Sequence, residues 1–442
     1  MRVRSIIVLA KPLRTLAPIA LLAGLAAPAG AVEIVEVEGL QTEVPALLVE
    51  DRSVPIVTLR LAFEGGSLIE EEGEEGLVNL LSTMLNEGAG DLTGPEFQQR
   101  LDELGIRFFA SAGREGFRVG VSALESRFDE AVELLALALN EPRFDAEPLE
   151  RMKGQIVSSL RASRATPRAE VSRELRELIW GNHPYARPSG GEPDVIETAT
   201  AGDLREMTER LFTRDNAIVS AVGAIEPEEL ATAIDRIFKD LPEEGETIDV
   251  PLASPALGLE REIALPGSQA SVQVTLPAPL REDDDFFAAY LVNHVLGGGT
   301  FTSRLYEELR EKRGLTYGAG SSISTFDHGA SWSAGVQTRP DNVDEVKRIP
   351  LSEIERMATE GPTAEELERA KAYVKGSYAI NNLDTSRSVA GVLLAIQEGD
   401  LGIDYIDRRE DLIDAVTVED AKAAAAKYLG AEPTVIVTVP AA

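Results

Sequence analysis

The chain has 442 residues, with 75 Asp and Glu against 43 Lys and Arg, a formal charge of -32 and no cysteine. Without cysteine there are no structural disulfides, thiolate metal sites or cysteine nucleophiles. So acidic a surface repels nucleic acid and anionic lipid; it suits solubility, and it also steers cationic peptides at long range.

Arg2, Arg4, Lys11 and Arg14 precede an apolar stretch from Leu16 to Ala27, broken only by Pro18 and Gly24, and Ala29-Gly30-Ala31 follows. This is the layout of a secretory signal peptide with an Ala-x-Ala cleavage site. The stretch is shorter than the ~20 apolar residues that span a bilayer. Cleavage after Ala31 is expected, with a retained anchor as the alternative. Removal of 1–31 would take the formal charge to about -36. No later segment is apolar enough to cross a membrane, so a periplasmic or otherwise exported location is expected.

The remainder is long enough for two domains of ~200 residues. In chain order, 55–63 reads as a strand, 75–87 as a helix, and 107–112 with 115–122 as a hairpin. Then the pattern starts again, with a strand at 271–276 and a helix at 286–296. Residues 146–153 read AEPLERMK and residues 364–371 read AEELERAK, six of eight identical at an offset of 218. At the same offset, NAIVSAV at 216–222 parallels TVIVTVP at 434–440, two apolar runs of buried-strand type. TAGDLREMTERLF at 200–212 parallels TVEDAKAAAAKYL at 417–429, and the strand-then-helix run 117–135 parallels 332–350. One α/β unit is written twice. The expected organisation is a signal peptide at 1–31, an N-terminal domain at 32–245, a Pro- and acid-rich linker at 246–258 and a C-terminal domain at 259–442. The expected fold class is α+β, two tandem homologous domains, each a mixed or antiparallel sheet with helices on one face.

The segment GLVNLLSTMLNEG at 76–88 resembles the first helix of the pitrilysin/insulinase zinc metallopeptidases. There the helix carries His-x-x-Glu-His. Positions i, i+3 and i+4 share a helix face, so two histidines can bind one zinc while the glutamate activates its water. The matching positions here are Asn79, Ser82 and Thr83. None is a good zinc ligand or a base near neutral pH. The family's distal glutamate ligand falls at Ser159, and Ser158 beside it is no better. The resemblance thus implies a degenerate metal site, with no metal and no catalytic residue in this chain. The three histidines, His183, His294 and His328, are dispersed and read as structural. There is no G-x-S-x-G nucleophile elbow.

A second stretch, GGGTFTSRLYEELREKRGLTY at 297–317, looks very like the C-terminal domain of the same family. The family carries an Arg/Tyr pair there, seven residues apart, which faces the catalytic cleft and holds substrate. The matching residues are Arg310 and Tyr317. An Arg fork suits carboxylate or carbonyl oxygens and a Tyr hydroxyl can donate to them. The alternative is that Arg310 pairs with neighbouring acids and Tyr317 is core. Gly297–Gly299 lack the Gly-Lys-Ser/Thr of a phosphate-binding loop and read as a place of close backbone approach. The acid runs at 70–75 and 282–285 read as solvated helix caps.

The resemblance implies half of a clam-shell with the LuxS/mitochondrial-processing-peptidase-like fold. It implies a non-catalytic, substrate-binding subunit, inactive alone. In a heterodimer, a partner bearing His-x-x-Glu-His would supply zinc and general base for peptide hydrolysis. The alternative is a structural or binding protein of the same fold with no peptidase partner.

Overall fold

Residues 33–164, 166–245 and 249–441 are described by a computed structural model; the expected signal peptide lies outside them. The strands follow from alternation. In Ile56–Glu64 the side chains of Val57, Leu59, Leu61 and Phe63 are buried on one face, as period-two sequence requires. The N-terminal half supplies β1 (Val35–Glu38), β2 (Pro45–Glu50), β3 (Ile56–Glu64), the short pair β4 (Gly88–Ala89) and β5 (Leu92–Thr93), β6 (Arg107–Ala112), β7 (Gly116–Leu124) and β8 (Ala217–Gly223). The C-terminal half supplies β9 (Glu260–Leu265), β10 (Ala270–Pro277), β11 (Ala319–Phe326), β12 (Gly329–Thr338) and β13 (Thr434–Pro440).

The first sheet runs β1-β2-β8-β3-β7-β6 and the second β11-β12-β10-β13-β9. Apart from β1, the order is the same in both. In each, one parallel pair (β2 with β8, β9 with β13) adjoins an antiparallel run. The two tandem α+β units expected from the repeats are present. The repeated words begin equivalent helices, Ala146–Arg164 and Ala364–Asn382. The helices Ala201–Leu211 and Val418–Leu429 both open with a capping box, Thr200 with Asp203 and Thr417 with Asp420. Each box satisfies amides that the first helical turn leaves free.

Each sheet packs the helices of its own half against one face. In the first core Phe63, Phe117 and Phe212 meet at ring-centroid separations of 4.8 and 5.2 Å. Trp332 is buried in the second. The other face of the first sheet takes a helix from the second half. Val389, Ala390, Leu393 and Ile396 of the helix Ser386–Glu398 pack on Leu47 and Val222. Ser220 Oγ donates to the Ala390 carbonyl at 2.9 Å, and Gln397 Nε2 to that of Val219 at 2.9 Å. Reciprocally, the helix Pro167–Trp180 of the first half reaches β13, and the Ile179 carbonyl accepts from Ala256 N at 2.8 Å. Among the described residues no helix is long and apolar enough to cross a membrane.

Candidate functional site

The helix matching the zinc-binding segment spans Leu77–Met84, shorter at both ends than the expected 75–87. Its start is fixed by Gly76 at φ 103°, where a Cβ would lie 2.6 Å from the Gly191 Cα. A side chain is excluded there by both the backbone angle and the contact. Glu70 seals the helix N-terminus, its Oε1 accepting from the amides of Gly76 at 3.0 Å and Val78 at 2.9 Å. Glu70 is only 3% exposed, and burial pushes its carboxyl up to about 7 against those two hydrogen bonds. The acid run therefore contains one buried cap, whereas Glu71 and Glu72 beside it are exposed. Sequence alone offered five acids in six positions with no sign of which one turns inward.

The donor groups of the three helix positions are committed to the helix and its neighbour. Asn79 Nδ2 donates to the Gly190 carbonyl at 3.1 Å. Ser82 Oγ donates to the Asn79 carbonyl and Thr83 Oγ1 to that of Leu80, each at 2.7 Å. Ser159 is exposed on the helix Ala146–Arg164, which packs on this one. Glu87, just past the helix, pairs with Arg151. Among the described residues no group of three or more His, Asp or Glu is placed to hold a metal ion. The neutral amide and hydroxyls at these four positions do not fit the zinc that such a helix carries in its relatives.

The histidines are structural here. His183 Nδ1 accepts from Tyr185 N at 3.1 Å, which leaves Nε2 as the donor to the Pro251 carbonyl at 2.8 Å. His294 lies 4.9 Å from the Tyr373 ring, and burial lowers its pKa. The His328 backbone amide donates to the Tyr185 hydroxyl at 2.9 Å. Tyr185, fully buried, in turn donates to Glu115, which also accepts from Asp327 N at 2.8 Å. This knot fastens the β6–β7 turn to the β11–β12 turn. Burial, with Glu115 and Glu64 nearby, raises the Asp327 carboxyl to about 6.

The second motif is arranged differently. The helix Phe286–Asn293 runs into a π turn, His294–Gly298, and a second π turn, Glu307–Glu311, holds Arg310. Such widened turns recur at functional sites. A Cβ on Gly297 would lie 2.4 Å from Ser321 N. The glycine run does press its backbone against β11. Arg304 of the motif is structural: it is 8% exposed and grips Glu366 through two hydrogen bonds of 2.7 Å. Arg310 is half-buried, and its side chain makes no ion pair or hydrogen bond with the described residues. Tyr317 is 91% exposed, not core. It borders a groove of about 680 Å³ whose lining includes Ser271, Gln273, Gln337 and Thr438 from the outer face of the second sheet.

Comparison with known proteins agrees with this arrangement. The pattern of the insulinase peptidases (family M16) matches residues 46–192, and that of the peptidase M16 inactive domain matches residues 198–374. The non-peptidase homolog YmxG of Helicobacter pylori is 26% identical over 348 residues, 77% of this chain and 79% of that protein. An uncharacterized zinc protease of Streptomyces coelicolor is 24% identical over 88% of this chain and 86% of its own length. The crystal structure of a peptidase M16 inactive domain from Pseudomonas fluorescens superposes with a TM-score of 0.86 at 26% identity, covering 92% of this chain and 98% of that one. With two repeated α+β units and these matches along both of them, the chain belongs to the M16 (insulinase) peptidase family.

Proposed function

We propose that this chain is an exported, non-catalytic subunit that binds peptide substrates for a partner of the same family, the partner alone supplying zinc and general base. The observation that carries the reading is the opposite fate of the two motifs. Asn79, Ser82 and Thr83 spend their donors on nearby carbonyls. Arg310 and Tyr317 keep theirs available. An unpaired guanidinium offers a planar fork to a peptide carbonyl or terminal carboxylate, and an exposed phenol donates one more hydrogen bond.

Purification of the tagged mature chain from its native cell envelope, with mass spectrometry of what accompanies it, tests the partnership. A stoichiometric companion bearing His-x-x-Glu-His is the expected result. In the reconstituted pair, Arg310→Ala with Tyr317→Phe should lower both turnover and substrate affinity; unchanged kinetics would remove these residues from the substrate site. The second reading, a binding or structural protein without a peptidase partner, is favoured by the similarity to a protein named a non-peptidase homolog. A lone monomer or homodimer from the envelope would select it.

A further inference from the structure

The outer face of the first sheet is only partly covered. The helix Ser386–Glu398 runs along β8, β3 and β2. Beyond it, Arg107, Ser111 and Arg118 on β6 and β7 are exposed. The register places Arg60 opposite Gly120, and Phe109 opposite the same glycine on the far side. A Cβ on Gly120 would lie 2.6 Å from the tip of the Phe109 ring, so the glycine lets that ring lie across the strand. The Arg60 guanidinium sits over the ring, 5.0 Å from its centroid. Arg118 lies two residues along β7 from Gly120, a diagonal neighbour about 7–8 Å away on the same face. Arg387, in the first turn of the covering helix, is exposed on the other side.

Charge makes this arrangement unusual for the chain. In a protein of net charge -32, Arg60 Nη1 reaches the covering helix, 3.3 Å from where a Cβ on Gly391 would lie, one turn after Arg387. Among the described residues the carboxylate paired with these three arginines is Glu398. Glu398 is taken by Arg118 through Nη2 at 2.7 Å to both oxygens. Arg60 has no hydrogen bond with the described residues, and its Nε is buried without a partner. Burial, then the charges of Arg387 and Arg118, lower its pKa, and no acid offsets them. A desolvated cation beside two others is costly unless an anion joins them.

We propose that Arg60 and Arg387, with Phe109 as the floor and Arg118 at the rim, form a binding site for a carboxylate on a peptide. An acidic side chain and a C-terminal carboxylate present the same two oxygens to a guanidinium fork. The overall negative field repels polyanions, so affinity for an acidic peptide has to come from a local basic cluster, and variants of Arg60 and Arg387 separate this one from Arg310. The proposal rests on the reading of the chain as a peptide-binding subunit, but it concerns a site separate from Arg310 and Tyr317 and needs no partner.

The experiment measures fluorescence anisotropy of a short labelled peptide bearing glutamates with the purified mature chain. The glutamine version and the C-terminal amide of each are compared. The glutamate or free-acid form should bind more tightly, and Arg387→Gln, an exposed change that leaves the fold intact, should weaken binding roughly tenfold. Arg60→Gln should weaken it at least as much, with Arg60→Lys restoring only part because a point charge replaces a fork. Where Arg387→Gln abolishes the preference, loss of affinity on Glu-to-Gln exchange assigns the site to side chains and loss on amidation assigns it to chain ends; either supports it. Equal binding of all four peptides, or no response to Arg387→Gln, overturns the carboxylate site and leaves peptide binding elsewhere untouched. Binding by none overturns the site as well, while the existence of a peptidase partner is read from co-purification alone.

Discussion

The two halves share strand order, strand directions and helix caps, yet they treat the segment after their second long strand in opposite ways. In the first half it is a short regular helix, Leu77–Met84, whose polar side chains close back on neighbouring carbonyls. In the second it is a helix that widens into π turns, passes through three glycines and ends at an exposed tyrosine. The same scaffold therefore accommodates a closed polar helix in one half and an open, glycine-rich turn in the other. The buried ties are Glu70 on the first side and Arg304 with Glu366 on the second.

Three perturbations break the comparison at different depths. The largest is Gly297→Val. A side chain there would meet Ser321 N at 2.4 Å, backbone that cannot swing aside. Overpacking of this kind costs about 3 kcal/mol or more. Gly335→Val on β12, where a Cβ meets nothing within 4 Å, serves as the control. Thermal unfolding should show a Tm drop only for the first; equal midpoints would mean the glycine run is not pressed on β11 in solution.

Next is Glu366→Gln. Burial opposes ionisation of Glu366, but hydrogen bonds from Arg304 and the Thr363 amide outweigh it and hold the carboxyl at about 2, below its ordinary 4.5. The folded state therefore binds fewer protons than the unfolded chain between pH 2 and 4.5. Stability from this pair is complete above pH 4.5 and is lost as pH falls through about 2. The Gln variant should be less stable by about 3 kcal/mol at pH 7 and approach the parent at pH 2. A deficit independent of pH would show that the ion pair is not its source.

Glu70→Gln is smaller and has the opposite sign. With its pKa raised from 4.5 to about 7, folded Glu70 binds more protons than the unfolded chain in that window. Its ionisation destabilises the fold progressively from pH 4.5 and fully above pH 7. Glutamine can still accept at Oε1 from the two amides, so the variant should gain about 1–3 kcal/mol above pH 7 and little at pH 4.5. Denaturant midpoints taken across that range decide it, and a variant weaker than the parent at pH 8 would count against the buried carboxylate.

Much of the molecule was readable before its structure. The duplicated words at 146–153 and 364–371 begin equivalent helices, and the apolar runs at 216–222 and 434–440 became equivalent central strands, because periodicity and capping are local properties. The motif at 297–317 and the absence of ligands at 79, 82 and 83 were equally plain, since both depend on residue type at fixed spacing. Tertiary structure alone decided the rest. It turned Glu70 inward while its neighbours stayed in water, and laid Ser386–Glu398 across the sheet of the other half. It also brought the sheet face bearing Arg60 and Arg118 up to the helix that carries Arg387. Those residues are separated by 58 to 327 positions along the chain. No local periodicity encodes such a meeting, because only the packing of one half on the other determines which distant charges must share a surface.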